Sequence, residues 1–300
     1  MSAVAAVVVT YNRRELLWRC LNALDAQTAG TPAIWVIDNA STDGTDEMVK
    51  ARNEDHVFYC NTGENLGGAG GFSWGVRRVA REGYRYLWVM DDDCQPEPGA
   101  LEALLAADRS LGGQYGWLSS RALAPDGTDQ PMNRQRSTPY RDIAGYEGDC
   151  IPAVMASFVS LFLPVQIVRS FGLPIAEFFI WSDDWEYTRR ISRKMPCYVI
   201  PASRVIHAMR SGGVVNIATD TQDRWPRYRF FYRNDVYLYR REGIRGWIWL
   251  LAKDVWHSVQ VLMHGPNKGM RLAILWKGFC SGIWFDPPVQ GIDEQWENNR

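Results

Sequence analysis

An apolar run over residues 86–90 (YLWVM) ends in three consecutive carboxylates, Asp91, Asp92 and Asp93. An apolar run of this length between polar residues is typical of a strand that is buried on both faces of a parallel sheet. The carboxylates would then follow the carboxyl end of the strand, where open α/β sheets bind ligands. Such a cluster suits Mg²⁺ or Mn²⁺, although a solvated acidic turn explains the same residues without a ligand.

Three earlier apolar runs have the composition of buried strands and lie at residues 3–9, 33–37 and 57–60. Segments with apolar residues at helical spacing separate them, and the last of these helices begins in a glycine-rich stretch at residues 65–71. This order of strand and helix, with short connections, predicts an α/β fold with a mostly parallel sheet flanked by helices.

Polar groups that suit a nucleotide follow the first two predicted strands. Asp38 has the acceptors that a base or ribose needs, and Thr10 and Asn12 lie in the neighbouring loop. The glycines at residues 67–71 would let the backbone approach a ligand, and a helix N-terminus there favours an anion, although a tight turn explains the glycines alone. A Rossmann dinucleotide site is disfavoured because G-x-G-x-x-G does not follow the first strand.

Composition excludes several classes of protein. The chain has 300 residues and a formal net charge of −1, so no basic surface argues for nucleic acid. Its six cysteines lack C-x-x-C spacing, which disfavours a zinc module and fits a reducing compartment. The first apolar run is too short for a signal peptide, and no stretch approaches the roughly 20 apolar residues of a spanning helix. We therefore expect a cytoplasmic protein.

Four segments, in this order, resemble the inverting family-2 glycosyltransferases of GT-A fold: residues 7–13 (VVVTYNR), 37–45 (IDNASTDGT), 65–72 (NLGGAGGF) and 90–93 (MDDD). The resemblance covers roughly the first two-thirds of the chain and implies a GT-A, Rossmann-like sheet. It also implies a nucleotide-sugar pocket that is lined by Thr10, Tyr11, Asn12, Arg13, Asp38, Asn39, Asn65, Gly67 and Gly68, with Asp92 facing the donor.

A second acidic stretch lies at residues 178–187 (FFIWSDDWEY). Ser182 as an N-cap, with acids in the first helical turn, explains it structurally. The aromatic run is expected instead to deliver the acids from inside the sheet. The form Trp-x-Asp-Asp-x-Glu-Tyr resembles bacterial galactofuranosyltransferases that build cell-wall galactan, and their rhamnosyltransferase relatives. That resemblance implies Asp184 as the general base, Asp183 as a substrate-orienting residue, and Trp181 as a stacking surface for the acceptor sugar.

A single histidine, His207, follows the next predicted strands at residues 198–201 and 205–207. A lone histidine is more often packed or solvated than a ligand. The family resemblance implies that His207 completes a Mn²⁺ or Mg²⁺ site with Asp91 and Asp93, on the donor diphosphate. The Ser-Gly-Gly sequence at residues 211–213 is a candidate hinge for a flap.

The remaining segments are less specific. Residues 112–151 are expected to be an excursion over the active-site face or an ordinary surface loop, and residues 152–163 a long buried strand. An arginine within residues 224–233 is a candidate for the diphosphate. The predicted domains are a catalytic domain at 1–215, with a nucleotide-binding half at about 1–95 and an acceptor half at about 96–215, and a helical, Trp-rich region at 216–300.

The Trp-rich region contains one predicted apolar helix face, which comprises Trp247, Ile248, Leu250, Leu251, Val255, Trp256, Val259 and Leu262. Packing on the core or in a homo-oligomer explains this face, and so does a membrane surface whose headgroups would meet Lys253, Lys268, Arg271 and Lys277. The membrane interpretation is preferred, on the inner face of the cytoplasmic membrane, because acceptors in the family are often lipid-linked.

The predicted function is metal-dependent, inverting transfer of galactofuranose from UDP-galactofuranose to a cell-surface glycan or lipid-linked acceptor. The alternatives are a dTDP-rhamnose-dependent rhamnosyltransferase and a nucleotide-sugar- or glycan-binding protein without turnover. A decayed enzyme should have lost one of Asp91, Asp93, Asp184 or His207, and all four are present. A metal-dependent nucleotidyltransferase would use similar acids but leaves residues 38–45 and 181–187 unexplained.

Overall fold

The computed structural model describes residues 3–208, 215–264 and 266–294, so the candidate hinge at residues 211–213 lies outside the described residues. The strands are β1 (Val4–Thr10), β2 (Ala33–Asp38), β3 (Val57–Asn61), β4 (Tyr86–Asp91), β5 (Cys94–Pro96), β6 (Leu118–Leu123), β7 (Arg136–Thr138), β8 (Arg141–Asp142), β9 (Ile151–Pro152), β10 (Leu161–Pro164) and β11 (Tyr198–His207). The helices are α1 (Arg14–Asp25), α2 (Thr45–Arg52), α3 (Gly67–Val79), α4 (Ala100–Ser110), α5 (Val165–Phe171), α6 (Asp183–Ser192), α7 (Tyr228–Arg240), α8 (Gly243–Met263) and α9 (Lys268–Trp284).

The main sheet has the order β3-β2-β1-β4-β10-β6-β11-β5, and β9 pairs with β11. Strands β3, β2, β1 and β4 are parallel, whereas β10 runs antiparallel to both of its neighbours. In the parallel half, Thr10 is in register with Asp38, and Val9 with Asp91, so the strand-end residues meet at one edge. The predicted α/β architecture with a mostly parallel sheet is confirmed.

Helices cover both faces of the parallel half, as its continuous apolar strands require. In β1, Val7 and Val9 belong to a core cluster that includes Phe72 of α3. The alternate residue Val8 belongs to the cluster on the other face, with Leu21 of α1. Strand β1 is therefore buried between two helical layers, and its carboxyl end opens toward the ligand edge.

Two segments differ from the prediction. Residues 112–151 contain β6, a strand inside the main sheet that was not predicted. Its buried Ser120 hydroxyl forms hydrogen bonds with the hydroxyls of Ser160 and Ser203 at 2.7 and 2.6 Å. Those satisfied hydroxyls interrupt the apolar pattern that normally marks a strand. The predicted long strand at residues 152–163 is wrong, since only β9 and β10 are strands there and the chain between them is irregular.

The chain between α5 and α6 also differs from the prediction. The aromatic residues 178–181 lie in no strand, so the acids of α6 are not delivered from inside the sheet. A 3₁₀ turn, Ala176–Phe178, leads into them instead. The two strands predicted around residues 198–207 are one continuous strand, β11, with an irregular register between Ile200 and Arg204.

Helices α7, α8 and α9 form the predicted carboxy-terminal helical region. The single apolar face predicted on α8 is wrong, because Leu250 and Val261 are fully buried while the other side of the helix is exposed. Trp249 and Met263 are exposed as well, and the strip that we call the outer face comprises Ile244, Ile248, Leu251, Val255, Trp256, Val259 and Leu262. Trp247 is half-buried and meets Phe279 edge-on.

Two of the basic residues assigned to lipid headgroups point inward. Lys253 pairs with Asp235 of α7, and the buried Arg271 donates to the carbonyl oxygen of Ala218. Both charged groups are engaged inside the helical region, with Lys253 only partly exposed and Arg271 buried, so the assignment of these two residues to lipid headgroups is wrong. Among the described residues, no helix combines the length and the apolar character needed to cross a membrane.

Candidate active site

The acid cluster after β4 is held by groups from β1 and the following loop. The Thr10 hydroxyl donates to Asp92 Oδ2 at 2.7 Å. Arg13 Nη1 bridges Asp92 Oδ1 at 3.2 Å and Asp93 Oδ2 at 2.9 Å. The structure therefore brings together three predicted donor-site residues, Thr10, Arg13 and Asp92. The guanidinium of Arg13 is a positive group among these acids.

His207 reaches the same cluster because β11 pairs antiparallel with β5, which places His207 opposite Cys94. His207 Nε2 lies 3.0 Å from Asp93 Oδ1, and its Nδ1 lies 2.7 Å from Asn133 Oδ1. Among the described residues, the buried Asp93 Oδ1 has no polar partner besides this contact with His207. Ligand atoms of Asp93, Cys94 and His207 lie within 4.8 Å of one another.

Burial disfavours the charged forms of the carboxylates in this cluster. Burial, followed by repulsion from Asp93, raises the pKa of Asp91 to about 7. Burial also raises the pKa of Asp92 to about 6, against the attraction of Arg13. Burial opposes ionisation of Asp93 too, but the contacts with His207 and Arg13 hold its pKa below the usual value.

The donor set of the cluster fits a divalent cation. A buried carboxylate oxygen without a hydrogen bond is costly unless a positive ligand meets it, and oxygen with imidazole nitrogen suits Mn²⁺. Asp93 and His207 are brought together for this role. Asp91, the third predicted ligand, ends β4 and is not in the described group of ligand atoms that lie within 4.8 Å of one another, so its role as a ligand stays a prediction.

Asp38, at the end of β2, and Asn12, after β1, form hydrogen bonds with neighbouring segments. Asp38 is fully buried and accepts from the Ser41 amide at 2.8 Å and the Tyr59 hydroxyl at 2.6 Å. Asn12, with a φ of +52°, accepts from the Thr42 amide at 2.7 Å. Both side chains therefore link neighbouring strand-end loops, and their contact with a nucleotide stays a prediction.

The other predicted donor residues fall into two groups. Tyr11 is 43% exposed and Asn65 is exposed, whereas Asn39 is buried and donates to the Gly67 carbonyl at 2.9 Å. Asn65 Oδ1 accepts from the Gly67 amide at 2.9 Å, which shapes the turn into α3. Gly68 has open space around it, so it is the glycine of this turn that a ligand can approach.

Gly67 serves a contact within the protein. A Cβ added there would come within 2.2 Å of the Phe179 carbonyl oxygen, and its φ is +73°. The next helical amide, that of Ala69, donates to the same oxygen at 3.1 Å. The close partner of this glycine in the structure is the segment before α6, and its contact with a ligand stays a prediction.

That segment, residues 178–182, has an unusual backbone and is called the base segment below. Phe179 has φ +64° and ψ −55°, and the Ile180 amide donates to the Phe178 carbonyl at 2.7 Å, which defines a γ-turn with positive φ. Trp181 and Ser182 also have positive φ. Conformations of this kind in non-glycine residues cluster at functional sites.

Asp183 and Asp184 begin α6 directly after the base segment. Asp183 is buried, whereas Asp184 is half-buried and its Oδ1 accepts from the Trp185 amide at 2.7 Å. Burial raises the pKa of Asp183 to about 6. Burial, then repulsion from Asp183, and then repulsion from Asp91, raise the pKa of Asp184 well above its usual range. The acid cluster and α6 therefore act on one another electrostatically.

Trp181 packs against α7, with its ring centroid 5.1 Å from that of Tyr228, and it remains half-buried. The exposed remainder is available to a sugar, and the stacking role stays a prediction. Asn133, Asn234 and Asp235 were missed by sequence reasoning. The one sequence signal for Asn234 and Asp235 is that this polar pair interrupts the aromatic residues of α7.

Comparisons with known proteins agree with this arrangement. Residues 5–139 match the family model described as "Glycosyl transferase family 2". The chain is 28% identical over 276 residues to "Galactofuranosyltransferase GlfT1" of Mycolicibacterium smegmatis, covering 83% of this chain and 90% of that protein.

Solved structures show the shared fold. The chain superimposes on S. aureus TarS 1-349 in complex with UDP with a TM-score of 0.56 at 16% identity, over 92% of this chain and 70% of that one. It superimposes on GalNAc-T7 with UDP, GalNAc and Mn²⁺ with a TM-score of 0.56 at 16% identity, over 77% of this chain and 47% of that one. The chain therefore carries a glycosyltransferase family 2 domain at residues 5–139 and has the GT-A-like fold of these solved glycosyltransferase structures.

Proposed function

We propose that this glycosyltransferase moves galactofuranose from UDP-galactofuranose to a glycan acceptor, with inversion at the anomeric carbon and with a divalent cation. The observation that carries the proposal is the convergence of Thr10, Arg13 and His207 on Asp92 and Asp93 at the strand ends. A second acidic pair, Asp183 and Asp184, begins α6. One site suits a nucleotide diphosphate and the other suits an acceptor hydroxyl. Similarity to GlfT1 along most of both chains supports galactofuranose as the sugar.

The acid cluster is the proposed donor site. Asp93 and His207, with Asp91, would hold Mn²⁺ or Mg²⁺, which neutralises the charge that develops on the leaving diphosphate when it is bound. Arg13 is half exposed and already beside Asp92 and Asp93, so its guanidinium is available to a phosphate oxygen. We therefore assign the contact with the diphosphate to Arg13 in place of an arginine within residues 224–233.

Asp184 is the proposed general base. Its Oδ1 is held by the Trp185 amide, while its Oδ2 makes no hydrogen bond to the described residues. The ionised carboxylate takes the proton of the acceptor hydroxyl, the hydroxyl oxygen bonds to the anomeric carbon, and the bond from that carbon to the diphosphate oxygen breaks. UDP leaves on the opposite face, which inverts the configuration. Asp183 would orient the substrate beside it.

The acceptor is proposed to reach the enzyme at a membrane surface. The outer face of α8 is an exposed apolar strip at helical spacing, and exposed apolar strips of this kind mark interaction surfaces. The exposed basic residues Arg245, Lys268 and Lys277 lie on α8 and α9. A strip of this kind with basic neighbours suits an anionic lipid headgroup zone.

Donor turnover tests the proposal directly. The EDTA-treated enzyme with added Mn²⁺ would be incubated with UDP-galactofuranose, UDP-galactopyranose, UDP-N-acetylglucosamine and dTDP-rhamnose, and release of the nucleoside diphosphate measured. We expect release from UDP-galactofuranose above all others, and none from the Asp184→Asn variant with acceptor present. Preferred turnover of dTDP-rhamnose would overturn the sugar assignment while leaving the transferase assignment intact.

A further inference from the structure

We propose that Asn234 and Asp235 of α7 are positioning residues, which hold the base segment in the conformation that presents Asp183 and Asp184. This inference rests on the proposed function, because it takes Asp184 as the base. It assigns a task in the reaction to a helix outside the family-matched residues 5–139.

The base segment needs external support. Phe179, Trp181 and Ser182 all have positive φ, and none of them is glycine. Ser182, which precedes α6, makes no side-chain cap to the helix, since its φ of +64° places it in the left-handed region. A segment with three such residues persists only where its surroundings fix it.

Asn234 provides the first part of that support. Its side chain is fully buried, and the two hydrogens of its Nδ2 are shared among the carbonyls of Phe178, Ile180 and Trp181, which lie at 3.0, 3.1 and 2.9 Å. These three acceptors span the γ-turn and the residue after it. A carboxamide is the group that fits here, because it supplies donors to carbonyls without bringing a charge into a buried site.

Asp235 provides the second part. Its Oδ1 accepts from the Ser182 hydroxyl at 2.7 Å, directly before Asp183. Its other oxygen pairs with Lys253 of α8, and Lys253 also lies 3.3 Å from Asp254 Oδ1. The start of α6 is thus tied through α7 to α8 by a buried chain of charged groups.

The start of α3 also contacts the base segment. Gly67 lies against the Phe179 carbonyl oxygen, and the Ala69 amide donates to the same oxygen. The base segment is therefore held between the start of α3 and the middle of α7. Neither Asn234 nor Asp235 needs to touch substrate for this purpose. Their loss should displace the acids, and displacement of about 1 Å at a reacting group costs on the order of a hundredfold in rate.

The test compares Asn234→Asp, which keeps the shape and removes the amide donors, with Ser182→Ala, which removes one hydroxyl. The matched control is Gln27→Leu, because Gln27 is also a buried carboxamide that donates to two backbone carbonyls, those of Ala23 and Glu97, away from the base segment. We measure Tm, kcat, the donor KM, and amide hydrogen exchange over residues 179–185.

We expect both variants to lower kcat at least tenfold, with the donor KM within twofold, and to speed exchange over residues 179–185. Gln27→Leu should lower Tm and leave kcat and that exchange unchanged. Normal kcat and normal exchange in Ser182→Ala, or in a folded Asn234→Asp, would overturn the proposal. If Asn234→Asp does not fold, Ser182→Ala decides alone.

The two proposals fail separately. A fully active Asp184→Asn variant would remove the general base from the proposed function, whatever the exchange data show. Faster exchange in the Asn234→Asp variant with an unchanged kcat would keep the support of the segment as a structural fact and remove its role in the reaction. That second result would leave Asp184 as the base.

Discussion

Gly67 lies so close to Phe179 that a Cβ on the glycine would come within 2.2 Å of the phenylalanine carbonyl oxygen. This contact joins the start of α3, in the nucleotide-binding half, to the segment that presents Asp183 and Asp184. The two ends of the proposed site are therefore built against one another, and the glycine is required by the protein backbone.

Replacing Gly67 tests this contact. Gly67→Ala puts a side chain on a residue with φ +73° and into the Phe179 carbonyl, so we expect a loss of about 1–3 kcal/mol in the free energy of unfolding. Gly68→Ala is the control, because its Cβ meets nothing within 4 Å. Chemical denaturation measures both variants. Equal stability of the two would contradict the proposed contact.

Metal binding should stabilise the acid cluster. Addition of Mn²⁺ to EDTA-treated protein is expected to raise Tm and to restore transfer, because it supplies charge to Asp93 Oδ1 and its neighbours. Asp93→Asn and His207→Gln should abolish both effects. The control is Asp25→Asn, which alters the separate cluster of Asp25, Glu54 and His56 that Arg52 already neutralises. Full transfer in EDTA would rule out the metal role.

The base assignment predicts a loss of turnover with little change in donor affinity. Asp184→Asn keeps the shape of the side chain and removes the proton acceptor, so transfer should fall by roughly 10²–10⁴. Glu186→Gln is the comparison on the same helix, because that carboxylate pairs with Arg190 at 2.9 Å and should affect stability more than rate. If Asp184→Asn lowers the transfer rate only slightly and Asp183→Asn lowers it strongly, Asp183 is the general base.

The pH profile carries its own prediction. Burial and repulsion from Asp183 raise the pKa of Asp184, so the ionised base forms, and kcat rises, only as the pH passes above the usual carboxylate range. Asp183→Asn removes the repulsion and should shift the acid limb to lower pH. Asp129→Asn, which breaks the partly buried pair with Arg121, should leave the acid limb in place. An unmoved limb in Asp183→Asn would argue against Asp184 as the titrating group.

The outer face of α8 predicts membrane association. Wild-type protein should float with liposomes, more so with anionic lipid, and the combined Ile248→Ser, Val255→Ser and Trp256→Ser variant should not. Tm should be unchanged because these side chains are exposed. The control, Leu250→Ala, removes a fully buried side chain and should lower the free energy of unfolding by about 2–5 kcal/mol.

A different pair of results would reassign that face. If wild type does not float but sediments as a dimer, and the triple variant sediments as a monomer, the outer face is an interface between two copies of the chain. Analytical ultracentrifugation at two protein concentrations distinguishes this outcome from membrane binding.

The sequence by itself determined the parallel half of the fold. Strands β1, β2 and β4 are continuous apolar runs because both of their faces are buried, and that local pattern is readable without contacts. The edge strand β3 is only partly buried. Their polar ends had to meet at one edge, since parallel strands share their direction. Thr10, Arg13, Asp92 and Asp93 were therefore recognisable as one group before their distances were known.

The tertiary structure alone decided the rest. Strand β6 was hidden by serines that are satisfied only by hydroxyls from distant parts of the chain. The two sides of α8 look alike in sequence, and packing against α7 and α9 determines which side is buried. The base segment depends on Gly67, Asn234 and Asp235, which come from two distant helices. Backbone conformations that run against local preference are selected by such long-range contacts, and no local pattern encodes them.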